Sequence, residues 1–190
     1  MPIPALLLTG GASRRMGSPK ALIEIDGRTM AQNAAELLRR FCSRVIEVGP
    51  GYTDLEHVLE DQPGAGPLAA FIAGSAMLDE GTPLILMACD MPEVGDGLIE
   101  ALANHQSGHA VVPFADGRLQ TLCARYSAQA RGLAPSVWES GGRSLRSLLD
   151  KCDVEILNEA DWEPFSERFA FNDLDTPEDL LAYRDRRARS

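Results

Sequence analysis

Through residues 1–108 short apolar runs alternate with segments of helical periodicity, and this alternation limits the possible folds more than any other feature of the chain. The runs that predict strands cover 3–8, 44–49, 57–61 and 83–92. Runs this short and apolar are typical of strands buried on both faces. Strands that alternate with helices predict a parallel, doubly wound α/β sheet.

The segments between these strands carry the predicted helices. Thr29 can cap a helix whose apolar positions recur from Met30 onward at helical spacing. A second predicted helix covers 66–78 and has Pro67 in its first turn, where the missing N–H costs little. Leu98 and its neighbours mark a third helix before the pattern changes.

After residue 108 the alternation gives way to a different order of elements. Two strands over 108–126 are predicted to join around Asp116-Gly117, a dipeptide that favours a tight hairpin turn. The remaining predicted elements are a helix over 128–150, a strand over 153–157 and a closing helix capped by Asp175 or Thr176. We interpret residues 1–190 as one domain made of two halves, about 1–108 and about 109–190.

Composition and charge argue against several classes of protein. Of 190 residues, 45% are hydrophobic and 24% charged, which fits a globular domain with a sizeable core. The formal net charge of −10 argues against nucleic acid or an anionic membrane as the main partner. No apolar stretch reaches the roughly 18 residues of a membrane span, and we see no signal peptide.

The cysteines bear on the compartment and on zinc. They are Cys42, Cys89, Cys123 and Cys152. They form no C-x-x-C pair, and the histidines make no ligand spacing with them. We therefore expect reduced thiols, a cytoplasmic location and no structural zinc site.

The first predicted strand runs into the loop LTGGASRRMGSPK, residues 8–20. In an open α/β sheet, ligands bind beyond the carboxyl ends of the strands, which is where this loop begins. Gly10 and Gly11 allow backbone N–H groups to approach an anion closely. The loop matches neither a Walker A sequence nor G-x-G-x-x-G, which argues against a dinucleotide cofactor.

The same loop is cationic in an acidic chain. Residues 1–23 contain Arg14, Arg15 and Lys20 and no acidic residue. Arg15 can make a planar fork to phosphate oxygens, Lys20 supplies a point charge, and Ser13 can add a hydroxyl donor. The loop therefore predicts a site for an anion such as a triphosphate, with a solvated glycine loop as the alternative.

Asp90 follows the buried run 84–87 at the carboxyl end of the fourth strand, on the same edge as the glycine loop. A carboxylate beside a triphosphate is repulsive unless a cation lies between them, and Mg²⁺ binds one or two carboxylates together with substrate phosphates. We therefore predict that Asp90 holds Mg²⁺. The alternative is that Asp90 only ends the strand, with Pro92 enforcing the break.

These motifs resemble those of the molybdenum cofactor guanylyltransferases. LTGGASRRMGSPK is similar to the family signature L-A-G-G-x-S-x-R-M-G-x-D-K, ACDMP to its metal-binding segment, GPLAA to its G-P-L-A-G, and FNDLDTPEDL to a closing N-T-P-E-D-L stretch. The matches span residues 6–180 in family order. The resemblance implies a three-layer α/β/α Rossmann-like nucleotidyltransferase fold with a mostly parallel sheet. It also implies an enzyme that joins GMP from GTP to molybdopterin and releases pyrophosphate.

The resemblance assigns roles to individual residues. Arg15, Lys20 and Asp90 become the catalytic residues, with Asp90 on Mg²⁺. The residues that it places on the nucleotide are Leu8, Thr9, Gly10, Gly11, Ser13, Arg15, Lys20, Asp61 and Asp90. Asp61 would read guanine, because a carboxylate accepts hydrogen bonds from both N1–H and N2–H₂ and leaves no such match for cytosine. A simple turn role for Asp61 stays open.

The resemblance makes residues 1–108 the nucleotide-binding half and 109–190 the acceptor-binding half. It implies that Asp173 and Asp175 lie near the acceptor, with Asp173 as a second ligand of Mg²⁺. Arg143 opens a helix at Gly-Gly-Arg, where it can approach the acceptor's phosphate or lie on an exposed face. The expected partners are GTP and molybdopterin, with transient docking to proteins that deliver the cofactor.

The chain departs from the family pattern at several positions. Thr9 replaces a usual alanine, and Gly49 stands where some members have an asparagine near the base. Asp173 and Asp175 replace asparagines, and endings of the type D-x-D-T-P-E-D are familiar in cytidylyl-transferring relatives. Three functions therefore stay open: guanylyl transfer, transfer of another base or to another acceptor such as a sugar 1-phosphate, and GTP binding by a non-catalytic regulator.

Overall fold

The computed structural model describes residues 2–10, 18–60, 62 and 64–189, and its strands build one large sheet and one small hairpin. The strands are β1 (Ala5–Leu8), β2 (Glu24–Ile25), β3 (Arg28–Thr29), β4 (Val45–Val48), β5 (Glu56–Val58), β6 (Leu84–Ala88), β7 (Ala110–Ala115), β8 (Arg118–Leu119), β9 (Cys123–Tyr126) and β10 (Val154–Leu157). The helices are α1 (Met30–Phe41), α2 (Pro67–Ser75), α3 (Asp96–Asn104), α4 (Ala128–Glu139), α5 (Leu145–Leu149), α6 (Glu159–Trp162) and α7 (Pro177–Arg189).

The large sheet runs in the order β10-β7-β9-β6-β1-β4-β5, and β8 pairs with β7. Its strands are mostly parallel, as predicted; β9 is antiparallel to both β6 and β7, and β8 is antiparallel to β7. Every residue of β1, β4 and β6 is buried, which fits strands covered on both faces. Within the described residues, no helix is long and apolar enough to cross a membrane.

The direction in which successive strands are added to the sheet reverses between β1 and β6. β4 pairs with one side of β1, and β6 pairs with the other side. Right-handed crossovers on opposite sides of β1 place helices on opposite faces, and accordingly α1 packs against α3 while α2 packs against α4 and α5. Because the order reverses here, the carboxyl ends of β1 and β6 flank the crevice where doubly wound sheets bind ligands.

The hairpin prediction is confirmed at its turn but not along its second strand. Asp116 (φ 51°) and Gly117 (φ 72°) both have the positive φ of a tight hairpin turn. The second predicted strand is interrupted after β8 by a turn at residues 121–122, which is closed by the hydrogen bond from the Cys123 N–H to the Gln120 carbonyl at 3.1 Å. The chain then re-enters the sheet as β9.

Residues 128–150, predicted to be helical, form the two helices α4 and α5, and α5 begins just after the helix start predicted at Gly-Gly-Arg. Gly141 has a φ of 95°, which ends α4, and the Ser144 side chain then caps α5. The predicted caps at the other helices hold. Thr29 forms a capping box with Gln32 at the start of α1, and the Thr176 hydroxyl accepts the Asp179 N–H at the start of α7.

Candidate active site

Lys20 joins two acidic side chains that lie far apart in the sequence. Asp90 lies two residues beyond the end of β6, and Asp175 directly precedes Thr176, which caps α7. The Lys20 Nζ lies 3.0 Å from Asp90 Oδ2 and also donates to Asp175 Oδ1. Desolvation alone would lower the pKa of Lys20, but the hydrogen bond to Asp175 and the charge of Asp90 outweigh it and raise the pKa. Lys20 is therefore a firmly protonated cation at neutral pH.

The backbone brings the C-terminal acids to Asp90. The Leu174 N–H donates to the Asp90 carbonyl oxygen at 3.0 Å, so Asp173 and Asp175 flank this bond. Asp173 Oδ2 accepts a hydrogen bond from Arg118 Nη2 at 3.3 Å. Burial and the charge of Asp90 raise the pKa of Asp173, although Arg118 and Lys20 oppose this. The result is a carboxylate cluster with partly uncompensated negative charge.

This cluster fits a divalent cation bound with phosphates. Asp90 Oδ1 is buried and accepts no hydrogen bond from any described residue, which leaves a carboxylate oxygen available to a cation. In the described ranges, no group of three Asp, Glu, His or Cys side chains forms a metal cage on its own. One or two carboxylates that share a cation with substrate phosphates are what Mg²⁺ prefers.

The glycine loop begins at the same edge. The Cys89 N–H donates to the Leu8 carbonyl at 3.1 Å, and the Thr9 and Gly10 N–H groups both point to the Val48 carbonyl, at 3.1 and 3.4 Å. Leu8 and Thr9 are buried, whereas Gly10 is exposed at the edge. The predicted nucleotide-binding residues Gly11, Ser13, Arg15 and Asp61 lie outside the described residues.

Glu47 is a buried charge whose role sequence reasoning missed. It lies in the middle of β4 with no exposed surface and accepts five hydrogen bonds. The donors are the Thr9 hydroxyl (2.6 Å), the Gly51 N–H (3.0 Å), the Tyr52 N–H (2.7 Å), and the Thr53 N–H (2.9 Å) and hydroxyl (2.6 Å). The signal for it was present, because VIEV holds a single charge inside an otherwise apolar strand.

Arg143 lies against the first turn of α2. Its guanidinium stacks on the Trp138 ring, 3.9 Å from the centroid, and donates to the Trp138 and Gly142 carbonyls. Gly66, the N-cap of α2, packs so closely that a Cβ atom there would lie 2.9 Å from the Arg143 carbonyl oxygen. These contacts place Arg143 beside GPLAA, and the described contacts do not join it to Asp173.

A cavity of about 360 Å³ adjoins the carboxylate cluster. Its lining residues are Arg118, Asn172, Asp173, Leu174, Asp175, Asp179, Ala182 and Arg186. Arg186 is held by Glu93 at 2.6 Å and lies over the Phe169 ring. Arg118 follows Gly117 on the hairpin. Its side chain is more than half exposed and forms an ion pair with Asp173. No local feature of the sequence indicates that this arginine reaches the site.

The lysine-bridged carboxylate cluster and the start of the glycine loop meet at the switch point of the doubly wound sheet, which is where sheets of this class bind ligands such as nucleotides. The family model of the MobA-like NTP transferase domain matches residues 5–156. The chain therefore belongs to the MobA-like NTP transferase family. This membership confirms the predicted family and favours an enzyme over a non-catalytic regulator. Enzymes of this kind generally use a divalent metal ion.

Individual relatives agree with the family. A Bacillus cereus (strain Q1) protein named "Probable molybdenum cofactor guanylyltransferase" is 30% identical over 175 residues, which cover 83% of this chain and 87% of that protein. The structure of molybdopterin-guanine dinucleotide biosynthesis protein A from Archaeoglobus fulgidus superposes with a TM-score of 0.84 at 21% identity, covering 99% and 100% of the two chains. The 2-C-methyl-D-erythritol 4-phosphate cytidylyltransferase from Thermus thermophilus gives 0.73 at 19% identity over all of both chains. The two structures establish the shared fold.

Proposed function

We propose that this protein transfers GMP from Mg-GTP to the terminal phosphate of molybdopterin and releases pyrophosphate. The observation that carries the proposal is the contact of Lys20 with both Asp90 and Asp175 at the switch point of the sheet. This contact brings a cation and two carboxylates together where the glycine loop begins, and the backbone bond from Leu174 to Asp90 places Asp173 beside them. The family and the name of the Bacillus cereus relative support the choice of GTP and molybdopterin.

In the proposed reaction a phosphate oxygen of the acceptor attacks the α-phosphorus of the nucleotide. A phosphate monoester is already ionised at neutral pH, so the reaction requires no general base. Lys20 neutralises triphosphate oxygens, and the backbone N–H groups of the glycine loop, with Ser13 and Arg15, bind and orient them. Catalysis then rests on positioning and on charge neutralisation.

Mg²⁺ belongs to the proposal as the cation of the carboxylate cluster. Asp90 would hold it, with Asp173 as the second protein ligand, and the ion would neutralise charge on the triphosphate and on the departing pyrophosphate. Asp90 has the oxygen for this role, since its buried Oδ1 lacks a donor among the described residues. Lys20, which donates to the other Asp90 oxygen, Oδ2, would supply a second positive charge.

The acceptor half of the proposal uses the cavity beside Asp173. Arg118 is the cation best placed to bind the acceptor's phosphate, because its guanidinium is exposed and lies at the cavity beside the cluster. Arg143, by contrast, lies beside the first turn of α2, where it can approach the nucleotide. Residues 1–108 thus serve the nucleotide and 109–190 chiefly the acceptor. A cytoplasmic location suits the four free thiols, and transient docking to cofactor-delivery proteins completes the proposal.

A second candidate is cytidylyl transfer, favoured by the acidic pair Asp173 and Asp175. Titration with each of the four nucleoside triphosphates, with and without Mg²⁺, separates the two. Trp138 fluorescence is a suitable signal because Trp138 lies next to the first turn of α2. We expect Mg-dependent binding with GTP preferred over CTP. A preference for CTP would overturn the guanine assignment while leaving the fold and the carboxylate cluster in place.

A further inference from the structure

We infer that Glu47 is a positioning residue for the bound nucleotide. Through the Thr9 hydroxyl it fixes the turn after β1 against residues 49–53, the turn after β4. This inference rests on the proposed nucleotide site at the carboxyl edge of the sheet, but not on which base is bound. Glu47 contacts no reacting atom. It acts by holding the two turns in place.

Glu47 joins the two turns where they leave the neighbouring strands β1 and β4. Thr9 donates to Glu47 Oε1, and the same oxygen accepts the Gly51 and Tyr52 N–H groups, so one atom holds both turns. The second oxygen, Oε2, accepts both donors of Thr53. Because Glu47 lies inside the rigid strand β4, it anchors both turns to the sheet.

The chemistry of the donors requires an ionised carboxylate. All five partners of Glu47 are N–H or O–H groups, and a carboxylate offers only acceptor positions. Burial opposes ionisation, yet the hydrogen bonds from Thr53 and Thr9 outweigh it and lower the pKa of Glu47. A glutamine would turn an NH₂ group toward one set of these donors and leave them unsatisfied.

Movement at Glu47 would reach the phosphate-binding backbone directly. The Thr9 and Gly10 N–H groups both point to the carbonyl of Val48, the residue after Glu47. Gly10 also packs at van der Waals distance over Gly49, since a Cβ atom on Gly10 would lie 3.9 Å from the Gly49 Cα. The position of Gly10, at the exposed start of the glycine loop, therefore depends on residues 47–49.

The test compares Thr9→Val with Thr9→Ser, together with Glu47→Gln. Thr9→Val keeps the shape of threonine without the hydroxyl, whereas Thr9→Ser keeps the hydroxyl that reaches Glu47. The nucleotide used is whichever triphosphate the unmodified enzyme binds most tightly. Binding is measured well below each variant's unfolding midpoint, and pyrophosphate release gives KM and kcat.

Arg131→Met supplies a matched control. Arg131 is also a buried charge that ties down a turn, donating to the carbonyls of Ser75, Leu78, Asp79 and Thr82. That turn precedes β6, at the edge of the sheet opposite the site. Arg131→Met therefore reports what the loss of a buried anchor does to stability alone.

We expect Thr9→Val and Glu47→Gln to raise the Kd and KM for the nucleotide about tenfold or more. Arg131→Met should leave both near the unmodified values. Thr9→Ser, which keeps the hydroxyl, should recover most of the affinity that Thr9→Val loses, and kcat at saturating nucleotide should change less than KM. Equal nucleotide affinity in Thr9→Val and Thr9→Ser, with only the unfolding midpoint shifted, would overturn the inference and leave Glu47 a structural residue. Failure of the proposed function is separate, because it would appear as the wrong nucleotide or no turnover in the unmodified enzyme.

Discussion

The Thr9 side chain occupies the space beside Gly49 at the carboxyl edge of the sheet. A Cβ atom at residue 49 would overlap the Thr9 hydroxyl oxygen and lie 3.0 Å from the Gly10 nitrogen. The hydroxyl is held there by its 2.6 Å bond to Glu47. The two departures from the family pattern, a threonine for alanine and a glycine for asparagine, are thus coupled: the Thr9 side chain fills the space that an asparagine side chain at residue 49 would need.

The first prediction is that substitutions at Thr9 and Gly49 are not additive. Gly49→Ala should destabilise the unmodified protein strongly because the new Cβ overlaps the Thr9 side chain. In a Thr9→Ala background the same change should cost less, with a coupling energy of about 1 kcal/mol or more between the two sites. Urea unfolding of the four proteins measures the cycle. Additivity within about 0.5 kcal/mol would show that the sites do not compete for space.

The second prediction concerns Asp90. Asp90→Asn should lower turnover by at least about 100-fold, as expected when a group that stabilises transition-state charge is removed. Folding should survive, because Lys20 keeps its bond to Asp175. Pyrophosphate release and circular dichroism give the two readouts, with Asp96→Asn, an exposed acid paired to Arg40, as the control. Turnover of Asp90→Asn near that of the control would rule out the metal role.

The third prediction concerns the acceptor cavity. Arg118→Ala should raise the KM for the acceptor about tenfold or more while leaving the Kd for the nucleotide nearly unchanged, since a charge-assisted bond to phosphate is lost. Arg118→Lys should recover part of the affinity through its point charge. The matched control is Arg184→Ala, another exposed arginine, on α7. Equal acceptor KM values for Arg118→Ala and Arg184→Ala would place the acceptor elsewhere.

The fourth prediction uses the pKa of Glu47. Burial pushes this pKa up, but hydrogen bonds from Thr53 and Thr9 bring it below its ordinary value of 4.5. A carboxyl group with a lowered folded-state pKa stabilises the fold above its unfolded pKa, and this stabilisation is lost as pH falls through the folded value. The advantage of the unmodified protein over Glu47→Gln in free energy of unfolding should therefore be full near neutral pH and shrink below pH 4.5.

Urea titrations of both proteins at neutral pH and in steps below pH 4.5 measure that advantage. The control is the pH dependence of Arg131→Met relative to the unmodified protein, which the titration of Glu47 should not affect. An advantage of Glu47 over glutamine that stays constant to the lowest pH would mean that the carboxylate is not the stabilising species.

Local features of the sequence were sufficient for much of the fold. The apolar run before Asp90 predicts a buried strand that ends at the site, and Asp116-Gly117 predicts the hairpin turn, because both signals act over a few residues. The position of β9 between β6 and β7 could not be predicted, since pairing between distant strands has no local signature. The helix start predicted at Gly-Gly-Arg corresponds to the break between α4 and α5, because Gly141 takes the positive φ that ends a helix.

The site was predictable by residue type and less so by contact. Lys20 and Asp90 could be placed at one edge, because both follow strands of a parallel sheet. The contact of Lys20 with Asp175 accompanies the Leu174–Asp90 backbone bond, which joins two segments that no local pattern relates; only the family resemblance predicted that they lie together. Glu47 illustrates the same limit, since its charge is visible in the sequence but its five donors come from two separate turns.

The most direct test of the central claim is pyrophosphate release by the purified protein supplied with Mg²⁺, molybdopterin and one nucleoside triphosphate at a time. We predict release with GTP that requires both molybdopterin and Mg²⁺, is much slower with CTP, and is lost in Asp90→Asn. Release with CTP in preference to GTP, or with GTP but no dependence on molybdopterin, would contradict the proposed guanylyl transfer.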